Sequence, residues 1–351
     1  MTQIRTIVLW PFSLISVLTK AKDFSRNPVI GSKTLNRWGL HRWRLKTAGQ
    51  IGRWRSGWLK GGIAREQIDA FEKNGFVAVP DFLSSDEVAS VRDELLDFNG
   101  EARRMVQGDC WTERILLTAS RLKQFPTVKK LVKRRDFKRL LAFTATKWHV
   151  PLFYIQRIHH LEDQPEDPQK TMHSDTFHPT MKAWLFLEDI QPDMGPFTYV
   201  PGSHKFSEKR AAYETEIALS HETLSEHRSG RGSIRANEDA LQRMGMNPRQ
   251  GLCFKAGTLV LANTNGYHGR GQATPGATRL EIFTYSRVSP FIPLPFGLPD
   301  PFWLMAEGLD AWHRYSERRA KRRGGYPTWR TIPLSDMTKG LGKSETPTDA
   351  R

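Results

Sequence analysis

His173-Ser174-Asp175 sets an imidazole and a carboxylate two residues apart. On an extended chain, residues i and i+2 project to the same face, so both side chains can reach one centre. A second histidine from a distant strand would complete a two-histidine, one-carboxylate set. Such a set holds Fe(II) on one side and leaves positions open for a co-substrate and O2. His-x-Asp arises readily by chance in a chain with 11 histidines, so the spacing alone decides little. His268, in Thr264-Asn-Gly-Tyr-His268-Gly, follows the apolar run 258–262 and supplies the missing ligand. Eleven residues on, Arg279 opens the next β-rich run. Its guanidinium fork can pair bidentately with the far carboxylate of a dicarboxylate co-substrate. The plainer alternative makes His268 a loop histidine and Arg279 a surface or salt-bridged arginine.

Strands must carry these residues. Short segments rich in β-branched and aromatic residues recur at 152–158, 182–190, 197–200, 258–262 and 279–288, punctuated by Gly, Pro and Asn. This pattern predicts a mostly β fold with flanking helices, built as an antiparallel barrel or double-sheet jelly roll. Upstream, 63–74 reads as a helix stopped by Gly75 and 76–80 as a strand. Ser84 with Glu87 forms a capping box for a helix running to about Phe98. Residues 110–147 read as mixed and mostly helical. Residues 205–256 read as a charged helical insertion, and 290–301, with five prolines, as a rigid loop.

The chain has 351 residues, 26% of them charged, with 38% hydrophobic residues and a net charge of +16. That composition excludes a disordered tail protein, a collagen-like chain and a multi-span membrane protein. Two cysteines, Cys110 and Cys253, make neither a disulfide framework nor a four-cysteine zinc site. The charge is concentrated at the flanks. Residues 1–60 hold twelve basic residues and one acid, and 314–330 hold seven basic residues and one acid, so the rest is nearly neutral. Three regions are therefore expected: a basic, Trp-rich extension (1–62), a catalytic domain (63–290) containing the 205–256 insertion, and a Pro-rich loop with a basic segment (291–351).

Five of the eleven tryptophans, Trp10, Trp38, Trp43, Trp54 and Trp58, lie in the extension among Arg and Lys. Indole rings interleaved with cations suit the interface of an anionic membrane. Packing of these rings on the core is the alternative, and the same charge would also bind nucleic acid. The apolar stretch 7–18 is too short to span a bilayer and lacks a cleavage site. A cytoplasmic protein, peripheral to the membrane through residues 1–60, is the expectation.

Taken in order, these pieces resemble the phytanoyl-CoA dioxygenase family of Fe(II)/2-oxoglutarate oxygenases. Phe71-Glu-Lys-Asn-Gly-Phe-Val-Ala-Val-Pro-Asp-Phe-Leu83 is similar to the family's N-terminal helix, strand and turn. His173-Ser-Asp175 and the strand with Trp184 match its metal motif, and Gly195-Pro-Phe-Thr-Tyr-Val-Pro-Gly-Ser-His204 its Pro-Gly-Ser-His signature. His268 and Arg279 match the distal ligand and the co-substrate arginine. The resemblance covers roughly 64–290 and implies a double-stranded β-helix. It also implies that His173, Asp175 and His268 bind Fe(II), and that Arg279 binds 2-oxoglutarate.

The implied reaction uses O2, releases succinate and CO2, and hydroxylates an unactivated C–H bond. Asp175 favours hydroxylation over halogenation, because halogenating relatives lack that carboxylate. Gln156 and Thr264 are further candidates to contact the co-substrate, although each has ordinary structural uses. No residue matches an acyl-CoA-binding role, so a small-molecule or lipid-like substrate is expected. A nucleic-acid oxygenase and a non-catalytic membrane adaptor on the same fold remain as rivals.

Overall fold

The structure is a computed structural model and describes residues 14–149, 151–224, 226–296 and 302–342. Its strands are β1 (Phe76–Val79), β2 (Glu101–Gln107), β3 (Cys110–Leu116), β4 (Leu152–His160), β5 (Met181–Phe186), β6 (Phe197–Tyr199), β7 (Gln250–Leu252), β8 (Leu259–Asn263), β9 (His268–Arg270), β10 (Thr278–Ser286) and β11 (Arg330–Pro333). Eight of them make one sheet in the order β1-β8-β5-β10-β4-β3-β2-β11, and three make a smaller sheet, β7-β6-β9. Every pairing is antiparallel. This is the expected jelly-roll architecture. Alternation on β10 separates its two jobs. Leu280 and Ile282 enter the apolar core, whereas Arg279, Phe283, Tyr285 and Arg287 face a cavity between the sheets.

The helices that position the site are α1 (Leu40–Trp58), α2 (Arg65–Asn74), α3 (Ser85–Leu96), α4 (Arg135–Ala145), α5 (Glu208–Ser220) and α6 (Phe302–Arg322). Helix α2 stops at Gly75, which adopts φ +88°. Helix α3 starts with the reciprocal capping box of Ser84 and Glu87. Its stretch ends at Leu96, two residues short of the expected Phe98.

Residues 110–147 are mixed and mostly helical, as expected, but they open on a strand: β2 and β3 form a hairpin with Gln107 opposite Cys110, which the sequence reading did not separate out. Charged residues obscured it: Arg104 Nη2 lies 2.6 Å from the buried Glu113 Oε1 across the pair. The Gly108-Asp109 turn, with Gly108 at φ +58°, was the available signal. The flanks pack against the region between them. Strand β11 extends the large sheet beside β2 and buries Ile332. Helix α1 buries Leu45 and Ala48 against Phe177 and Ala211, so extension and insertion pack together over the barrel.

Part of the extension's positive charge is structural. Arg44 and Arg55 are fully buried. Arg44 donates to the carbonyls of Val17, Thr19 and Ala21, while Arg55 donates to those of Ser289 and Ile292 and to the Thr146 hydroxyl. Trp10 and most of 7–18 lie outside the described residues. Among the described residues, no helix is long and apolar enough to cross a membrane.

Candidate metal centre

His173 and His268 face each other across an antiparallel bridge. Each backbone N–H donates to the other's carbonyl, at 2.8 and 2.9 Å, which sets the ring centroids 4.5 Å apart. The Asp175 N–H donates to the Thr264 carbonyl at 2.9 Å, fixing the third side chain. The Asp175 carboxylate lies 3.8 Å from His173 Nε2 and 3.9 Å from His268 Nε2. One ion with ligand bonds of about 2.1 Å can span those gaps.

Tautomers follow from the outer contacts. His173 Nδ1 meets the Thr171 carbonyl at 2.8 Å, and His268 Nδ1 meets the Gly266 carbonyl at 2.9 Å. A carbonyl only accepts, so each Nδ1 carries the proton and each Nε2 presents a lone pair. Both Nε2 atoms are buried without a hydrogen-bond partner. Unpartnered buried acceptors are costly, and a divalent ion satisfies all three groups. Burial, and then the neighbouring His268, holds the His173 pKa well below its ordinary value; burial pushes His268 to about 4, against the pull of Asp175. Burial alone would raise Asp175. Lys182, 2.7 Å from Oδ2, outweighs it and keeps the group ionised. Neutral imidazoles beside a carboxylate are the donor set that Fe(II) takes.

The centre opens into a cavity of about 370 Å³. Arg279 lines it, with Nε 2.9 Å from Glu281 Oε2 and Nη1 donating to the Gly195 carbonyl at 2.6 Å. Gly195 sits at φ +64°, and a Cβ there would stand 2.7 Å from His160 Nε2. The Pro-Gly-Ser-His turn braces the other ligand: the Ser203 hydroxyl accepts from the Tyr267 N–H at 2.8 Å, one residue before His268.

The other expected contacts divide. Gln156 lines the cavity, but both ends of its amide are engaged: Oε1 accepts from Arg114 Nε and Nε2 donates to Glu281. Thr264 is not among the cavity-lining residues; its hydroxyl bonds the Thr180 hydroxyl at 2.9 Å behind Asp175. Trp184 lines the cavity, whereas His159 pairs with Glu113 and His160 with Cys110.

Sequence reasoning missed Glu281, two residues past Arg279 on the same face. It also missed Lys22, whose ammonium donates to the Asp175 backbone carbonyl from the N-terminal extension. Burial pushes Lys22 down to about 8, with Arg287, Lys182 and Arg235 adding to the shift against Asp175. A strand alternation count could have flagged Glu281; nothing local to the sequence pointed to Lys22.

An antiparallel double sheet with a two-histidine, one-carboxylate cluster and a buried arginine at its cavity is the architecture of non-haem iron, 2-oxoglutarate-dependent dioxygenases. The profile of the phytanoyl-CoA dioxygenase (PhyH) family matches residues 71–279, more than half of the chain, and the protein belongs to that family. It is an enzyme of the Fe(II)- and 2-oxoglutarate-dependent dioxygenase type. Ectoine dioxygenase of Stutzerimonas stutzeri (strain A1501) is 24% identical over 251 residues, covering 67% of this chain and 80% of the relative. The epimerase SnoN from nogalamycin biosynthesis superposes with a TM-score of 0.42 at 19% identity, covering 63% of this chain and 81% of SnoN. HygX from Streptomyces hygroscopicus, with nickel, 2-oxoglutarate and hygromycin B bound, gives a TM-score of 0.41 at 21% identity, with 64% and 86% covered.

Proposed function

We propose that His173, Asp175 and His268 hold Fe(II), that Arg279 binds the distal carboxylate of 2-oxoglutarate, and that the enzyme hydroxylates a C–H bond of a small-molecule or lipid-like substrate. The observation that carries this reading is the convergence of two unpartnered Nε2 atoms and the Asp175 carboxylate on one point of a cavity that Arg279 also lines. The bound iron would supply O2 activation coupled to oxidation of 2-oxoglutarate to succinate and CO2. The protein's part is placement. Thr171 and Gly266 orient the imidazoles, Glu281 and Gly195 aim Arg279, and Trp184 with Phe197 walls the cavity with apolar surface. The relative named for ectoine favours a small molecule. Replacing His173 or His268 with Ala is expected to abolish Fe(II)-dependent conversion of 2-oxoglutarate to succinate, because two ligands cannot maintain the facial geometry. Undiminished succinate formation in either variant would sink the assignment.

A second reading concerns location. Trp38, Trp43, Trp54 and Trp58 are exposed, Trp38 at 80%. Trp43 stacks on Phe291, and the loop beyond exposes Ile292, Leu294 and Phe296. Large exposed apolar side chains beside the exposed Lys46 and Arg53 support docking of this face on an anionic membrane.

A further inference from the structure

The cavity is far more positive than its co-substrate requires. Arg114, Lys182, Arg270, Arg279 and Arg287 line it, with Asp175 as the one lining carboxylate among the described residues. Arg270 is neutralised by Asp167 at 2.8 Å, and Arg279 by Glu281. A divalent metal and a dianionic co-substrate cancel each other, and Lys182 meets Asp175 at 2.7 Å, so Arg114 and Arg287 are the lining cations left without a carboxylate partner among the described residues. Like charges gathered around one partly buried space are unfavourable unless an anion joins them.

Position separates these cations from the co-substrate. Arg279 and Arg287 lie eight residues apart on one extended run that includes β10, and the rise of a strand puts their Cα atoms about 26 Å apart. A five-carbon diacid held between Arg279 and the metal leaves Arg287, at the far end of this run, to another ligand. Lys182 belongs to the Arg287 end, because it lies opposite Tyr285 in the β5–β10 register. Lys22 arrives at the same end from the extension and holds the carbonyl of Asp175. No described carboxylate pairs with Arg287, which is exposed at the cavity mouth.

We infer that Arg287, with Lys182 beside it and Lys22 behind them on the Asp175 carbonyl, forms an oxyanion-recognising rim, and that the substrate carries a carboxylate or phosphate group which this rim grips while the reacting carbon lies over the metal. The inference rests on the proposed reading of the metal centre and deepens it by naming the substrate class. It also gives the N-terminal extension a role in selecting substrate, since Lys22 lies outside the residues that match the family.

The test measures binding to the full-length protein loaded with Mn(II) and saturating 2-oxoglutarate, with hexyl phosphate, hexanoate and hexanol as probes. At least one of the two anions is expected to bind and hexanol is not. Lys22→Gln and Arg287→Gln should each weaken the anion tenfold or more, and Arg287→Lys should recover most of the loss. Equal binding of anion and alcohol, or unchanged anion affinity in both Gln variants, overturns the inference. So does a loss that falls on 2-oxoglutarate instead, which would assign these cations to the co-substrate. Dihexanoyl phosphatidic acid binding more tightly than hexyl phosphate assigns the oxyanion to a lipid headgroup, and the reverse order assigns it to a free metabolite. If the wild type takes up neither Mn(II) nor 2-oxoglutarate, the metal-centre reading fails and this inference with it; failure of the anions alone leaves that reading standing.

Discussion

Arg279 is held before any ligand arrives: Nη1 donates to the Gly195 carbonyl, and the Glu281 carboxylate lies 2.9 Å from Nε as its charge partner. A guanidinium has donors left over for a carboxylate ligand. Lysine keeps the charge but has one donor centre and cannot satisfy Glu281, Gly195 and a ligand together. Arg279→Lys is therefore expected to weaken 2-oxoglutarate at least tenfold, the loss of one charge-assisted hydrogen bond of about 1.5–3 kcal/mol. Mn(II) affinity should move much less; calorimetric titration of both ligands checks the split. Buried histidines set a second expectation. Burial pushes His160 and His178 to about 3 and His268 to about 4. Their unfolded pKa is about 6.5, so below that pH the unfolded chain takes up protons that the folded chain refuses. The folded chain without metal should keep its full stability above pH 6.5. It should lose about 1.4 kcal/mol per pH unit per histidine as the pH falls towards 4. Denaturant unfolding across pH 7.5 to 4.5 measures this, and a flat profile would contradict it.

At the scale of elements, the 205–256 insertion is a brace for the metal centre. Arg210 on α5 is fully buried and donates to the Ser203 carbonyl, to the Asn265 carbonyl and side chain, and to Glu214. Glu214 in turn meets His41 Nε2 of α1 at 2.8 Å. One guanidinium thus ties the Pro-Gly-Ser-His turn, the loop before His268, the insertion and the extension. Arg210→Met leaves Glu214 buried without its cation, a change that costs about 3–5 kcal/mol. The expected result is a lowered thermal midpoint together with weaker Mn(II) binding, since the loop carrying His268 loses its anchor. A variant that melts earlier yet binds Mn(II) as tightly would show that the loop holds its shape without the brace.

Across the whole molecule, α1 presents two different faces. Its inner face packs on the barrel and insertion through Leu45, Ala48 and the buried Arg44 and Arg55. Its outer face carries Trp43, Trp54 and Trp58, the last two in edge contact at 5.9 Å. Buried arginines cannot meet lipid, so fewer than the twelve cations of residues 1–60 are free to do so. Each one that reaches an anionic surface contributes about 1 kcal/mol, and inserted indoles add attachment that salt does not screen. The full-length protein is expected to float with phosphatidylglycerol vesicles at low and moderate salt, and Trp54→Ser/Trp58→Ser should reduce the moderate-salt fraction. Binding to oligonucleotides that collapses with salt, in place of flotation, would instead favour a nucleic-acid partner.

The local chain determined the strand of Arg279, the capping box at Ser84 and the glycine stop at Gly75, because these are interactions within a few residues, while His173 and Asp175 lie outside the named strands. The sequence pointed to His173, Asp175 and His268 through their order and their likeness to the family motif, but the fold is what brings them to one point. The β2–β3 hairpin escaped because its charged residues find partners across the pair, which composition cannot register. Contacts at long range were decided only by the tertiary structure. Lys22 meets Asp175 from 153 positions away, and Arg55 meets the Ser289 carbonyl from 234. A buried charge takes whatever partner the fold brings to it, and that choice is made by packing, not by sequence neighbours.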